Sequence, residues 1–283
     1  MERVTKSHHQ GVLIAEVIQL ISPTKEGVYL DATFGGGGHG RALLGTGGQV
    51  IGLDLDPTAE EFGRELEREA KGKFTFRRLS YDRAAELDAM FDGAILDLGL
   101  SSDQLEQSGR GFSFQKDEIL DLRFNPDYGQ TAAQLLGQAS LPRLDQIFRD
   151  YAEDRYHKAL AAKIVETRRR QPIRTTKDLI ALVGTDNPKV LAPIWQGLRI
   201  AVNDELGTLE RGLKEISGCL KKDAVLAVIS FHSLEDAIVK KFFRDNVDLE
   251  VVTKKPIQPS NEEIRSNPRA RSAKLRVARR VTN

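Results

Sequence analysis

Three observations predict an α/β chain with a doubly wound, mostly parallel sheet and an inserted helical domain. Short apolar runs alternate with helix-period segments through the first third of the 283 residues. Glycines crowd the turn after the first of those runs, between Gly35 and Gly40. From Gln130 to Leu220 the helix period takes over, and strand-like runs return only after it. A β-α-β-α-β order implies a parallel sheet with helices on both faces.

The elements follow in chain order. Val12, Leu13, Glu16, Val17, Leu20 and Ile21 give an opening amphipathic helix. Val28–Leu30 is a strand running into the glycine loop. Val50–Leu53 is a second, ending in Asp54. Pro57 suits a helix start, and Glu60 to Ala70 a surface helix. Phe74 and Phe76 mark a third strand, and Ala94–Leu96 a fourth that ends in Asp97. Tyr156, Leu160, Ile164 and Thr167 share one face of a helix starting near Glu153. Acids at its start and Arg168, Arg169 and Arg170 at its end complement the dipole. Leu198, Val202, Leu206, Leu209 and Leu213 form a further apolar stripe. Ala224–Ile229, Leu249–Val252 and Ala273–Val277 return to strands. The insertion follows the fourth strand. The expected domains are 1–122 with 201–283, and 123–200 between them.

Composition narrows the class. With 40% hydrophobic and 29% charged residues the chain reads as globular. Its longest apolar run, Ala224 to Phe231, falls far short of the ~20 residues of a membrane span. Met1–Gln10 is polar and shows no secretion signal. Cys219 is the single cysteine, which leaves neither a disulfide framework nor a cysteine metal site. The five histidines do not cluster with carboxylates at ligand spacing, so no metal is expected. A cytoplasmic location follows. Net charge is +1, which argues against a globally basic nucleic-acid binder. Cations are nevertheless concentrated at Arg168–Arg170 and in the tail, at Arg265, Arg269, Arg271, Lys274, Arg276, Arg279 and Arg280. Such patches serve either as solvated surface or as phosphate contacts.

Asp31-Ala32-Thr33-Phe34-Gly35-Gly36-Gly37-Gly38-His39-Gly40 is the key local signal. Gly35, Gly37 and Gly40 satisfy G-x-G-x-x-G, a dinucleotide fingerprint that is weak alone. Asp31 sharpens it. A carboxylate there would repel pyrophosphate but attract a cofactor with a sulfonium, an α-amino group and no phosphate. Asp54 is placed to accept hydrogen bonds from ribose hydroxyls, in either kind of site. Methyl transfer is therefore favoured over an NAD-linked oxidoreductase.

Two further strand ends can hold chemistry, because ligands sit outside the carboxyl ends of parallel strands. Asp97, followed by Gly99, Ser101 and Ser102, lies where a target amine would meet a methyl donor. After the fifth strand comes Ser230-Phe231-His232-Ser233-Leu234-Glu235-Asp236. There Ser233 with Asp236 suggests a helix cap, Phe231 a stacking surface or core, and His232 a base-orienting group or a locally satisfied side chain. In the tail, Lys274 and Arg276 share a basic strand face opposite Ala273, Leu275 and Val277, suited to an RNA backbone.

Taken together, these stretches resemble the bacterial and organellar small-subunit ribosomal RNA (cytosine-N4-)methyltransferases, the MraW family. The similarity runs through His9-x-x-Val12-Leu13-x-x-Glu16, the glycine loop, Asp54-x-Asp56-Pro57 and Leu96–Leu105. It continues in Arg110–Phe114, Leu120-Asp121-x-Arg123, Leu198–Leu206, Ser230–Asp236 and Asn267–Arg276. It implies a class I, Rossmann-like methyltransferase fold, S-adenosylmethionine as donor, and a decoding-region cytidine of 16S ribosomal RNA, within the small subunit, as acceptor. A homodimer stays open. By matching positions, Gly37, Gly38, His39, Asp54, Tyr81, Asp97 and Gln104 would hold the donor, with Tyr81 standing where the family usually has Phe. The family's His-Pro-Ala-Thr-Arg stretch is absent: Lys189–Pro193 stands there, which bears on the acceptor rather than the donor.

The cytosine amine is a poor nucleophile, so an acceptor for its N–H is needed as positive charge develops. Asp97, or a backbone carbonyl in Leu98–Gly99, is the first candidate, and His232 the second. Besides the oxidoreductase, a non-catalytic RNA-binding or ribosome-assembly factor on the same fold is the alternative.

Overall fold

The computed structural model describes residues 11–106 and 108–282. His9 and the polar stretch Met1–Gln10 lie outside the described residues. The chain forms two compact units, Met1–Ser101 with Leu206–Asn283, and Ser102–Glu205. The expected insertion, 123–200, falls within the second unit. The segment ahead of 123 is tied to the helices that follow it: Ile119 bridges Thr175, and the buried Trp195 donates Nε1–H to the Gly111 carbonyl at 2.9 Å.

The first unit opens with α1 (Ile14–Ile21), β1 (Val28–Asp31), α2 (Gly38–Gly45), β2 (Gln49–Asp54), α3 (Pro57–Glu69), β3 (Phe74–Arg78), a 3-10 segment (Tyr81–Leu87) and β4 (Phe91–Asp97). The second supplies α4 (Ser102–Glu106), α5 (Ala132–Gln138), α6 (Leu141–Asp150), α7 (His157–Thr167), α8 (Thr176–Val183) and α9 (Pro188–Asn203). The chain returns through α10 (Glu205–Gly218), β5 (Leu220–Ser230), α11 (Ser233–Asp245), β6 (Leu249–Val251), α12 (Asn261–Ser266) and β7 (Lys274–Arg280).

The sheet has seven strands in the order β3-β2-β1-β4-β5-β7-β6. β1 to β5 are parallel, and β7 runs antiparallel between β5 and β6. Strand residues alternate between two cores. Tyr29, Val50, Ile95, Ala227 and Ile229 pack on one side with Val17, Leu43 and Leu66 of α1, α2 and α3. Leu30, Leu53, Leu96, Leu226 and Val228 pack on the other with Leu209, Leu213, Val239 and Phe243 of α10 and α11. Burying both faces is what turns these strands into near-continuous apolar runs. Four of these strands close on a polar residue at the carboxyl end: Asp31, Asp54, Asp97 and Ser230. Asp56 caps α3, its Oδ1 accepting Thr58 N–H at 2.9 Å, with Pro57 in the first turn.

Four sequence expectations are corrected. The long stripe Leu198–Leu213 is two helices, because Asp204 adopts φ 48° and ends α9. The helix expected near Glu153 begins at His157, since Glu153 is itself left-handed at φ 49°. Tyr156 therefore lies outside the helical register and is 61% exposed instead of on the core face. Arg168 is not part of a free basic run: its Nη1 donates to the Leu136 and Ala139 carbonyls, both at 2.7 Å. The basic tail strand is largely neutralised. Arg276 is buried and bonds Asp236 at 2.6 Å, and Lys274 reaches the same carboxylate at 3.4 Å.

Inside the second unit, Asn203 holds the chain before α5 to the end of α9. Its Nδ2 donates to Leu122 O at 2.8 Å and Arg199 O at 2.9 Å, and its Oδ1 accepts Phe124 N–H at 2.8 Å. At roughly 1 kcal/mol per net hydrogen bond, Asn203→Ala should cost about 2–3 kcal/mol in urea unfolding followed by circular dichroism. A loss under about 0.5 kcal/mol would show that this clasp does not hold the unit together.

Candidate active site

The turn after β1 is fixed before any ligand arrives. Ala32 N–H donates to Ile95 O at 2.9 Å and Phe34 N–H to Leu53 O at 2.8 Å, pinning the loop to both neighbouring strands. Gly37 takes φ 80° as the residue ahead of α2. A side chain at Gly40 would press on Asp31 Oδ2 at 3.1 Å and the Phe34 ring at 3.3 Å, so glycine lets α2 start hard against the acid.

Three carboxylates converge on this edge. Asp31 is 1% exposed, and neither of its oxygens has a hydrogen-bond partner among the described residues. Burial pushes its carboxyl up to about 6. His39 pulls it down and Asp97 pushes it up. Asp97 is positioned through its own N–H, which donates to Thr33 Oγ1 at 2.7 Å. Its Oδ2 lies 3.3 Å from His39 Nε2, an ion-pair contact off the line of a hydrogen bond, and its buried Oδ1 is unpartnered among the described residues. Asp54 is further along: Oδ2 accepts Gly35 N–H at 2.8 Å and Oδ1 accepts Asp56 N–H at 2.9 Å. Burial raises it to about 6 despite those bonds. A carboxylate offers roughly four lone-pair positions, so each Asp54 oxygen keeps one for a hydroxyl.

His39 is the countercharge. Burial alone would lower its pKa, but the closeness and charge of Asp97, then Asp31 and Glu263, outweigh it and leave it raised. Its imidazole is 4% exposed and packed under Gly11. The side chain therefore acts on the site through its two aspartates. Glu263 belongs to the same surroundings: its Oε1 accepts Leu13 N–H at 2.8 Å across 250 residues of sequence. No local pattern could have pointed to it. Thr33 was legible only as a member of the Asp31-x-Thr33 motif, without its role.

The remaining candidate residues divide as follows. Gly37 and Gly38 form the start of α2. Tyr81 opens the 3-10 segment, and its ring lies so close to α10 that a side chain at Gly212 would meet it at 2.3 Å. Gln104 belongs to the second unit, buried on α4, where Ser108 Oγ donates to its carbonyl at 2.6 Å. His232, not Ser233, caps α11. Its Nδ1 accepts Glu235 N–H at 3.3 Å, and Glu235 Oε2 accepts Phe231 N–H at 2.8 Å and His232 N–H at 3.3 Å. The capping box is thus His232–Glu235, one residue earlier than the expected Ser233–Asp236, because Asp236 is taken by Arg276. With its Nδ1 lone pair committed to the cap, His232 is poorly suited to act as a base. Phe231 packs on the core and lies beside Gly99.

A glycine turn after β1, an acid closing β2 and an unpartnered acid where phosphate would otherwise sit define a Rossmann-like methyltransferase. A solved methyltransferase from Streptococcus mutans, in complex with SAH, shares the fold at TM-score 0.50 and 13% identity, over 95% of this chain and 97% of that one. The chain belongs to the MraW methylase family, whose model matches residues 6–281. It is similar to the ribosomal RNA small subunit methyltransferase H of Heliobacterium modesticaldum, 40% identical over 97% of this chain and 99% of that protein. The protein of that name from Magnetococcus marinus is 41% identical over 96% and 98%. S-adenosylmethionine is accordingly the methyl donor. The site's own chemistry fits it: buried, unsatisfied carboxylate oxygens call for a cation with N–H donors, and Gly40 lets the backbone of α2 start close beside Asp31.

Because the folded Asp31 value of about 6 exceeds the ordinary 3.8, its ionisation opposes folding. The penalty is absent below about pH 4, grows as pH rises, and is complete above about pH 6, reaching ~3 kcal/mol. Asp31→Asn should therefore raise the melting temperature of the ligand-free protein at pH 7.5 and lose that advantage near pH 4, while weakening S-adenosylmethionine binding at least tenfold by calorimetry. An unchanged affinity would remove Asp31 from the donor site.

Proposed function

We propose that this chain methylates the N4 amine of a cytidine in the decoding region of 16S ribosomal RNA. The reaction takes place in the cytoplasm on the small ribosomal subunit. The observation carrying the reading is the free Oδ1 of Asp97 at the end of β4, buried and fixed from both sides. Full-length similarity to proteins named for small-subunit ribosomal RNA methylation supports the acceptor class.

S-adenosylmethionine, when bound, supplies a methyl group on a cationic sulfur. The protein's part is to hold and polarise the acceptor. Asp97 Oδ1 accepts an N–H of the cytosine amine, which lets the nitrogen withdraw its lone pair from the ring and point it outward. As positive charge grows on that nitrogen, the carboxylate stabilises it and takes the proton. Thr33 keeps the Asp97 backbone in place, and His39 balances Asp97 and Asp31 so that two adjacent acids can be charged together. Holding the amine in line contributes on the order of 7–11 kcal/mol. His232, held by Glu235, is left to orient the base. Asp54 and Tyr81 hold the nucleoside part of the donor, with Gly37 and Gly38 assigned to it by the resemblance. The target base must be unpaired or flipped out, because an amine inside a duplex is out of reach.

The test uses tritiated S-adenosylmethionine and small subunits from a strain lacking the enzyme, followed by nucleoside mass spectrometry. N4-methylcytidine at one decoding-region position is the expected product. Donor binding without label on the subunit would leave an RNA-binding or assembly role. Asp97→Asn should lower turnover about 10²–10⁴-fold with RNA affinity intact, and full turnover by that variant would exclude Asp97 as the proton acceptor.

A further inference from the structure

The second unit contains a cationic helix face that the donor site does not use. α7 buries Leu160, Ala161 and Ile164 and turns its other side outward. That side carries Lys158, Ala159, Ala162 and Lys163, followed by Arg169 and Arg170 just past the helix end, all exposed. Two alanines, three residues apart, make the middle of the face flat, and cations stand on both sides of it. Glu166 is the acid within it, and Arg170 lies 3.8 Å from its carboxylate.

At the amino end of this face stands Tyr156. It is one of the most exposed large side chains among the described residues, yet its surroundings are stiff. Its N–H donates to Asp154 Oδ1 at 2.9 Å, His157 N–H donates to Asp154 O at 3.1 Å, and the His157 ring is bonded to Asp145 of α6. The Arg155 guanidinium lies over the Tyr156 ring, 4.6 Å from its centroid. One ring face is covered by a cation and the backbone is fixed. An aromatic ring held this way serves as a stacking platform, and an adjacent arginine strengthens it. Nothing in the core requires an aromatic here.

We infer that this face of α7, with Arg155 and Tyr156 at its head, is the docking surface of the inserted unit for RNA. The phosphate backbone lies along Lys158, Lys163 and Arg169, and an unpaired base stacks on Tyr156. The inference rests on the ribosomal RNA reading above and adds the surface that grips the substrate. Charge complementarity selects the occupant: Arg155, Lys158, Lys163, Arg169 and Arg170 outnumber the exposed acids Glu153 and Glu166. The flat alanine centre admits a sugar-phosphate chain, while an exposed aromatic suits a base better than it suits an acidic protein segment.

The experiment compares the full-length wild type with Lys158→Ala/Lys163→Ala, Tyr156→Ala and Tyr156→Phe. Binding is measured to deproteinised 16S RNA and to intact small subunits across a salt series, alongside steady-state methylation. The double lysine variant should weaken RNA binding roughly tenfold and flatten the salt dependence by about 0.7–0.9 per lost contact. Tyr156→Ala should raise KM for the subunit about tenfold with kcat within twofold, and Tyr156→Phe should restore it, since stacking needs the ring and not the hydroxyl. S-adenosylmethionine affinity and melting temperature should stay at wild-type values in all three. If the wild type binds RNA and the variants keep its affinity and salt slope, the α7 face is not the docking surface. A defect seen on intact subunits but not on deproteinised RNA would make the partner a ribosomal protein and overturn the inference. A wild type that binds neither substrate would instead bring down the ribosomal reading on which it rests.

Discussion

The first unit is organised around the problem of keeping several acids at one sheet edge. Asp31 and Asp97 lie on adjacent parallel strands, and ionising both in a buried place is costly unless something of opposite charge stands between them. His39 meets that need from the first turn of α2, and Gly40 lets that turn come close enough. Glu263, reaching Leu13 from the far end of the chain, completes the charge around the imidazole. The glycine loop, α2 and the α12 region are thus tied by electrostatics as much as by packing. A bound cation relieves the same imbalance, so donor binding and local stability are coupled through one set of groups.

Much of this unit was legible because its signals are local. The middles of strands buried on two faces must be apolar, so the acids that close β1, β2 and β4 mark both the strand ends and the site. The glycine turn and Pro57 are equally local. What escaped were choices made by partners distant in sequence. Arg276 looked like half of a phosphate-binding strand face until Asp236, forty residues earlier, was seen to occupy it. The same bond displaced the α11 cap by one residue, onto His232 and Glu235. Tyr156 fitted the apolar period of α7, but a left-handed Glu153 moved the helix start past it. Period alone cannot register a single residue with positive φ.

Several positions through which the family resemblance runs in the second unit make structural bonds. Arg110 is buried, donates to the Arg123 and Phe124 carbonyls at 3.0 Å and lies 5.2 Å over the Phe112 ring. Asp121 and Arg123 pair at 2.6 Å, Arg199 and Glu205 at 2.8 Å, and Asn203 clasps three backbone groups. These bonds replace the regular secondary structure that the stretch between α4 and α5 lacks. Unsatisfied polar groups would otherwise be left in its interior. The altered segment Lys189–Pro193 lies in the opening turns of α9, where Asn187 caps the helix and Pro193 is tolerated inside it. Trp195, two residues after it, is the residue that reaches the Gly111 carbonyl.

A net charge of +1 is what a division of electrostatic labour produces. The donor edge needs carboxylates to attract a cation and, in the proposed reaction, to accept a proton, and the same carboxylates repel phosphate. RNA cannot be drawn to such a site by its backbone. It has to be held elsewhere, by cations on other surfaces, while in the proposed reaction the part that approaches Asp97 is a nucleobase, which bears no formal charge. The exposed cations of α7, Lys158 and Lys163, are of the kind that requirement calls for. The same requirement favours a flipped or unpaired target on physical grounds. Only a base turned away from its own phosphates can enter acidic surroundings without bringing a like charge with it.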